Sequence, residues 1–159
     1  YLHLLPPQNS LKGDLFSYIL DPSSFKCEIV NKILSSYHWT KISWQYEMDV
    51  LTSQLTTKPS VIQWLQAFES SNMIITDSFH GMVFAILFEK NFLVIGNNSR
   101  GMTRFTSLLK LVGLENRLIN SEIDLTEKLM DSQIDYDKVK RIIVKERIKA
   151  KKFILDALF

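Results

Sequence analysis

The sequence holds a single cysteine, Cys27, among its 159 residues. An intrachain disulfide is therefore excluded, and so is a zinc site built on cysteine thiolates. A reducing compartment is the simplest setting for such a chain. No apolar run approaches the roughly 20 residues that span a bilayer. No signal peptide is visible, because Tyr1-Leu2-His3-Leu4-Leu5 is followed at once by Pro6-Pro7 and polar residues. There is no internal repeat and no low-complexity tract. An excess of one charge is also missing: 19 Lys and Arg against 17 Asp and Glu leave +2. That balance argues against a polyanion-seeking surface, so nucleic acid is not an expected partner. The glycines form neither G-x-G-x-x-G nor a P-loop, which removes motif support for a dinucleotide or nucleoside triphosphate site. His3 and His38 have no neighbours at metal-ligand spacing, so no metal is expected.

What the chain does have is apolar content. It is 46% hydrophobic and 23% charged, enough to fold around a core. Its length suits one domain over residues 1–159. The chain does not begin with Met, and it is expected to be part of a longer protein. The near-neutral charge hides an asymmetry. Residues 138–159 carry eight basic and two acidic residues, a balance of +6, which leaves −4 on everything before them.

Short apolar runs alternate with longer helical patterns. Leu15 to Leu20 predicts a buried strand closed by Asp21-Pro22. Ser23 or Ser24 then caps a helix to about Ser36, with Val30, Ile33 and Leu34 on its apolar face. Trp39 to Trp44 predicts a strand, and 47–58 a loop. Pro59-Ser60 opens a helix through Ser70. Met73–Thr76 and Phe92–Ile95 predict strands, and Gly81–Phe88 a short, almost wholly apolar buried helix. Thr103–Leu111 predicts a helix stopped near Gly113, and Leu118-Ile119 a small strand. Tyr136–Leu158 predicts a long basic amphipathic helix. Fully apolar strands alternating with helices imply an α/β fold: a Rossmann-like parallel sheet covered on both faces, with right-handed crossovers.

In such sheets ligands sit at the carboxyl ends of the strands. Two loops leave that edge. One is Asp77-Ser78-Phe79-His80-Gly81, and the other runs from Gly96-Asn97 through Asn98-Ser99 to Arg100-Gly101, with Arg104 one turn on. Each opens a helix and offers its free N–H groups to an anion. Gly81, Gly96 and Gly101 permit close backbone approach. Arg100 and Arg104 suit phosphate or carboxylate. Histidine exchanges protons near neutral pH, which suits His80 to acid/base work. Asp77 or Ser78 also reads as an ordinary helix N-cap. Together the loops describe a site for a small, multiply charged anion beside an acid/base.

At these residues the sequence resembles the polysaccharide pyruvyl transferase family. The likeness spans about Ser60 to Arg117. It runs through Thr76-Asp77-Ser78-Phe79-His80-Gly81 and Arg100-Gly101-Met102-Thr103-Arg104-Phe105, and more loosely through residues 11–45. The resemblance implies two Rossmann-like halves similar to GT-B-type glycosyltransferases, with this chain as the C-terminal half and a further N-terminal domain as its partner. It implies transfer of the pyruvyl group of phosphoenolpyruvate to a sugar hydroxyl, often as a cyclic ketal, with phosphate released. Phosphoenolpyruvate is then a co-substrate, with no further cofactor. His80 matches the family's motif histidine. Other branches read Arg-Leu-His where this chain has Ser78-Phe79-His80, so one cation is missing, and Arg100 or Arg104 is read as supplying it. The expected setting is bacterial exopolysaccharide or capsule synthesis in the cytoplasm, with a sugar or lipid-linked oligosaccharide as acceptor. Two other readings stay open: a GT-B-like transferase using a nucleotide sugar, and a non-catalytic lobe that binds sugar or a partner.

The terminal helix sets Val139, Ile142, Ile143, Ala150, Phe153, Ile154 and Ala157 near one face. It reads as a packed helix with a solvated basic face, or as a peripheral contact with the inner membrane face. Trp39, Trp44 and Trp64 read as packing residues rather than sugar platforms. Asn97-Asn98-Ser99 fits a glycosylation sequon that is common by chance.

Overall fold

The computed structural model describes residues 13–42, 59–97 and 101–158. Arg100, Asn98, Ser99, Trp44, His3 and the loop expected at 47–58 lie outside them. Five strands, β1 (Leu15–Tyr18), β2 (Lys41–Ile42), β3 (Met73–Thr76), β4 (Asn91–Ile95) and β5 (Leu118–Ile119), form one sheet in the order β2-β1-β3-β4-β5. Every pairing is parallel, with Leu15 beside Met73 and Met73 beside Asn91. Among the described residues six α-helices accompany them: α1 (Ser24–Tyr37), α2 (Val61–Ser70), α3 (Phe79–Leu87), α4 (Met102–Val112), α5 (Glu127–Asp131) and α6 (Tyr136–Leu158). The chain is thus α/β and Rossmann-like.

The two-residue period of the strands divides the core into two layers. Phe16, Ile74, Phe92 and Val94 face one side, where they meet Phe68 of α2, Met82 and Ala85 of α3, Phe105 and Leu109 of α4, and Val139 of α6. Leu15, Met73, Ile75, Leu93 and Ile95 face the other, against Ile29, Val30 and Ile33 of α1 and Leu129 and Met130 of α5. Burial on both faces explains why these strands read as continuous apolar runs.

Local signals fix the helix ends. Ser23 caps α1, and Ser60 and Gln63 form a reciprocal capping box on α2. Gly113 adopts φ +71° at the end of α4, the left-handed stop that its position predicts. Strand β2 begins at Lys41 rather than Trp39, because the Trp39 N–H donates to the Leu34 carbonyl where α1 closes. Two further boundaries differ from the sequence pattern for physical reasons. Strand β1 ends at Tyr18 rather than Leu20, because the amides of Leu20 and Asp21 donate to the Asp77 carboxylate. Helix α3 begins at Phe79 rather than Gly81, because Ser78 caps it and accepts from the Gly81 N–H. Helix α5 has no counterpart in the sequence reading. Its five residues are too few to show a helical period.

The strand order reverses between β1 and β3: the chain steps from β1 outward to β2, then returns across β1 to build β3, β4 and β5. The carboxyl ends of β1 and β3 therefore border the crevice where open parallel sheets take ligands.

Candidate functional site

The floor of that crevice is a buried polar clasp. Asp77, the residue after β3, is fully buried. Its Oδ1 accepts from the Leu20 N–H at 2.6 Å, and its Oδ2 from the Asp21 N–H at 3.0 Å. Oδ2 also takes the Lys26 ammonium at 2.7 Å and the Asn97 side-chain amide at 3.1 Å. Lys26 reaches it from the first turn of α1 and donates to the Asp21 carbonyl as well, at 2.6 Å. Asn97, just past β4, gives its amide also to Asp21 Oδ2 at 2.6 Å. One carboxylate thereby ties together the ends of β1, β3 and β4 and the start of α1. A buried carboxylate is tolerated only when paired and hydrogen-bonded, and this one is both.

A second, smaller clasp seats α3. The Thr76 hydroxyl donates to the Tyr18 carbonyl at 2.7 Å and accepts from the Ser78 N–H at 3.0 Å. Gly81 lies so close to it that a Cβ would stand 2.3 Å from Thr76 Oγ1. Glycine is needed there for α3 to approach the sheet. At Gly96 a Cβ would meet the end of the Asn120 side chain, with Oδ1 at 2.5 Å. Gly101 sits at φ +81° as the N-cap of α4 and supplies no side-chain cap.

Above this floor α3 and α4 meet through one aromatic ring. Phe79 and His80 occupy the first turn of α3, ahead of the helical hydrogen-bond ladder. His80 is exposed and Phe79 is half-buried. Arg104, from α4, places its guanidinium carbon 5.2 Å from the centre of the Phe79 ring. The Phe105 ring meets Phe79 edge-on at 6.0 Å, and the His80 ring meets it at 6.1 Å and 78°. Phe79 thus holds the cation over its face and carries the imidazole at its edge.

The structure therefore sorts the expected residues into two tiers. Asp77, Gly81, Asn97 and Ser78 are buried in the floor or against it. His80, Phe79 and Arg104 form a rim, with Gly101 at its margin. Because β3 and β4 are neighbours and parallel, both loops leave the same edge side by side. Asn97 gives its amide to two carboxylates in the floor. The residue that sequence reasoning missed is Lys26. A signal for it existed: Lys26, Ile29, Val30 and Ile33 share one helical stripe, and a lysine within an apolar stripe needs a buried partner. No cluster of three or more metal-ligating side chains occurs among the described residues.

Fold and edge together define a Rossmann-like α/β domain with Phe79, His80 and Arg104 gathered at the carboxyl edge of its sheet. The family model of the polysaccharide pyruvyl transferases matches residues 6–99, more than half of the chain, and the chain belongs to that family. The match takes in β1, α1, both clasps and His80, and it ends before Arg104. The family's activity is pyruvyl transfer to polysaccharide. No curated protein and no solved structure matches the chain significantly.

Proposed function

We propose that the protein transfers the pyruvyl group of phosphoenolpyruvate to a sugar hydroxyl of a polysaccharide or its precursor, releasing phosphate. The acceptor would be completed by a second Rossmann-like half in a GT-B-like arrangement. The observation that carries this reading is the pairing of His80 and Arg104 on one aromatic ring at the carboxyl edge, in a chain of this family.

The chemistry asks for two things. The methylene carbon of the donor must receive a proton, which leaves an oxocarbenium-like centre at C2 for the sugar oxygen to attack. His80 would give that proton and take one back from the attacking hydroxyl, a role worth about 10²–10⁴-fold. The C2–O bond to phosphate then breaks, and a second hydroxyl closes the ketal as its proton leaves with phosphate. Charge grows on the departing phosphate. The N–H groups of Phe79 and His80, the uncapped start of α4 and Arg104 would hold it. Arg104 would supply the cation that other branches place two residues before the histidine, and Phe79 would set its position.

The test is phosphate release by the full-length protein, given phosphoenolpyruvate and polysaccharide acceptor. His80→Ala should lower turnover at least about 100-fold. Undiminished turnover in that variant, or turnover of a nucleotide sugar in place of phosphoenolpyruvate, overturns the assignment.

A further inference from the structure

We propose that the distal half of α6 is a docking surface for an anionic lipid bilayer. The proposal is independent of the pyruvyl-transfer reading. Helix α6 has 23 residues and extends about 34 Å at 1.5 Å per residue, yet Val139 is its one buried residue. Tyr136 and Ile143 pack partly against the core, in the first two turns. The apolar residues then continue past the body without cover. Val144 is 52% exposed, Ile148 63%, Phe153 75%, Ile154 55%, Leu155 45% and Leu158 70%. Helices normally bury such side chains, so these six need a partner surface.

Charge selects the partner. Eight Lys and Arg lie between Lys138 and Lys152, against Glu146 as the one acidic residue. Lys140 pairs with Glu89 on the body at 2.9 Å, and Lys149 with Glu146 at 2.6 Å. Lys145, Arg147, Lys151 and Lys152 stand exposed along the same turns as the apolar side chains. Val144, Ile148, Leu155 and Leu158 share one stripe of the helix, with Arg147 on one side and Lys145 and Lys152 on the other, and an apolar stripe edged by basic residues is the pattern of a helix seated at a bilayer interface. The rest of the chain carries −4, which would turn it away from an anionic surface and present the helix. No helix among the described residues is long and apolar enough to cross a membrane, which fits a seat on the surface rather than a span. A second copy is a poorer partner, because pairing two such helices would set their lysines against one another. A nucleic acid would use the basic residues and leave Phe153 and Leu158 uncovered.

The experiment is co-sedimentation of the full-length protein with vesicles of phosphatidylcholine, with and without phosphatidylglycerol. Binding is expected on the anionic vesicles alone and should weaken as salt rises. Replacing Lys151 and Lys152 by Gln should lower partitioning about 25-fold, at roughly fivefold per basic side chain. Leu155→Ser with Leu158→Ser should also release the protein from vesicles. All four side chains are exposed, so phosphate release with a soluble acceptor should not change in these variants. Absence of binding, equal binding to neutral vesicles, or binding to heparin without vesicle binding overturns the proposal. So does a dimer that Leu155→Ser dissociates.

Discussion

The Lys26 ammonium and the Asp77 carboxylate form an ion pair of 2.7 Å between groups 51 residues apart, with the Asp77 side chain wholly removed from solvent. Such a pair is no bonus of stability by itself, because desolvating both charges offsets their attraction. Its effect is to leave either partner costly without the other. Asp77→Ala is expected to cost about 3–5 kcal/mol, since it strands the ammonium and the amides of Leu20 and Asp21. Lys26→Met together with Asp77→Asn should cost clearly less than the two single changes added. Urea unfolding of the four proteins provides the double-mutant cycle that checks this.

Phe79 should control Arg104 more than it controls the fold. Arg104→Ala is expected to raise the KM for phosphoenolpyruvate about 10–100-fold, the usual loss when a charge-assisted contact disappears. Phe79→Leu keeps the apolar volume and removes the ring face beneath the guanidinium. It should give a smaller change in the same direction, about twofold to fivefold, from a cation–π contribution of roughly 0.5–1 kcal/mol. Steady-state kinetics on both variants distinguish a loss in KM from a loss in kcat. If Phe79→Leu leaves KM unchanged, Arg104 is not positioned by the ring.

Alkaline stability should carry the signature of Tyr37. Burial, helped by the Asp131 carboxylate that its hydroxyl hydrogen-bonds, pushes its pKa from 10.0 up to about 12. The folded state therefore holds this proton more tightly than the unfolded chain. Stability is fully present below pH 10 and declines as pH rises from 10 toward 12. Tyr136 is shifted in the same direction, chiefly by its burial. Tyr37→Phe should flatten part of the decline without removing it, because Tyr136 contributes the remainder. Chemical denaturation across this pH range measures the slope, and an unchanged slope in Tyr37→Phe would count against the assignment.

Much of the architecture was legible because strand burial on both faces leaves an unmistakable trace. Met73–Thr76 and Leu118-Ile119 match the sequence reading residue for residue, and Tyr136–Leu158 does so as well. The overruns came from side chains that reach across the fold. Leu20 is apolar and adjoins a strand, yet its amide is claimed by Asp77, and no local pattern carries that information. The same limit hid the clasp. Asp77 and Ser78 both read as helix caps; Ser78 does the capping, while Asp77 faces three other segments. His80 and Arg104 were readable as residue types on one sheet edge. Their shared contact with Phe79 depends on how α3 and α4 pack, which spacing along the chain does not encode.

The clasp beneath the rim also has a bearing on when the edge takes shape during folding. Apart from the link between Lys26 and the Asp21 carbonyl, its contacts join groups separated by 57, 56, 51, 20 and 76 positions along the chain. None can form from a local nucleus, and each waits for a long loop to close. Helices α1 and α3 can gather their own turns early. The surface on which His80 and Arg104 meet would be among the last parts to set, once β1, β3 and β4 have found their register.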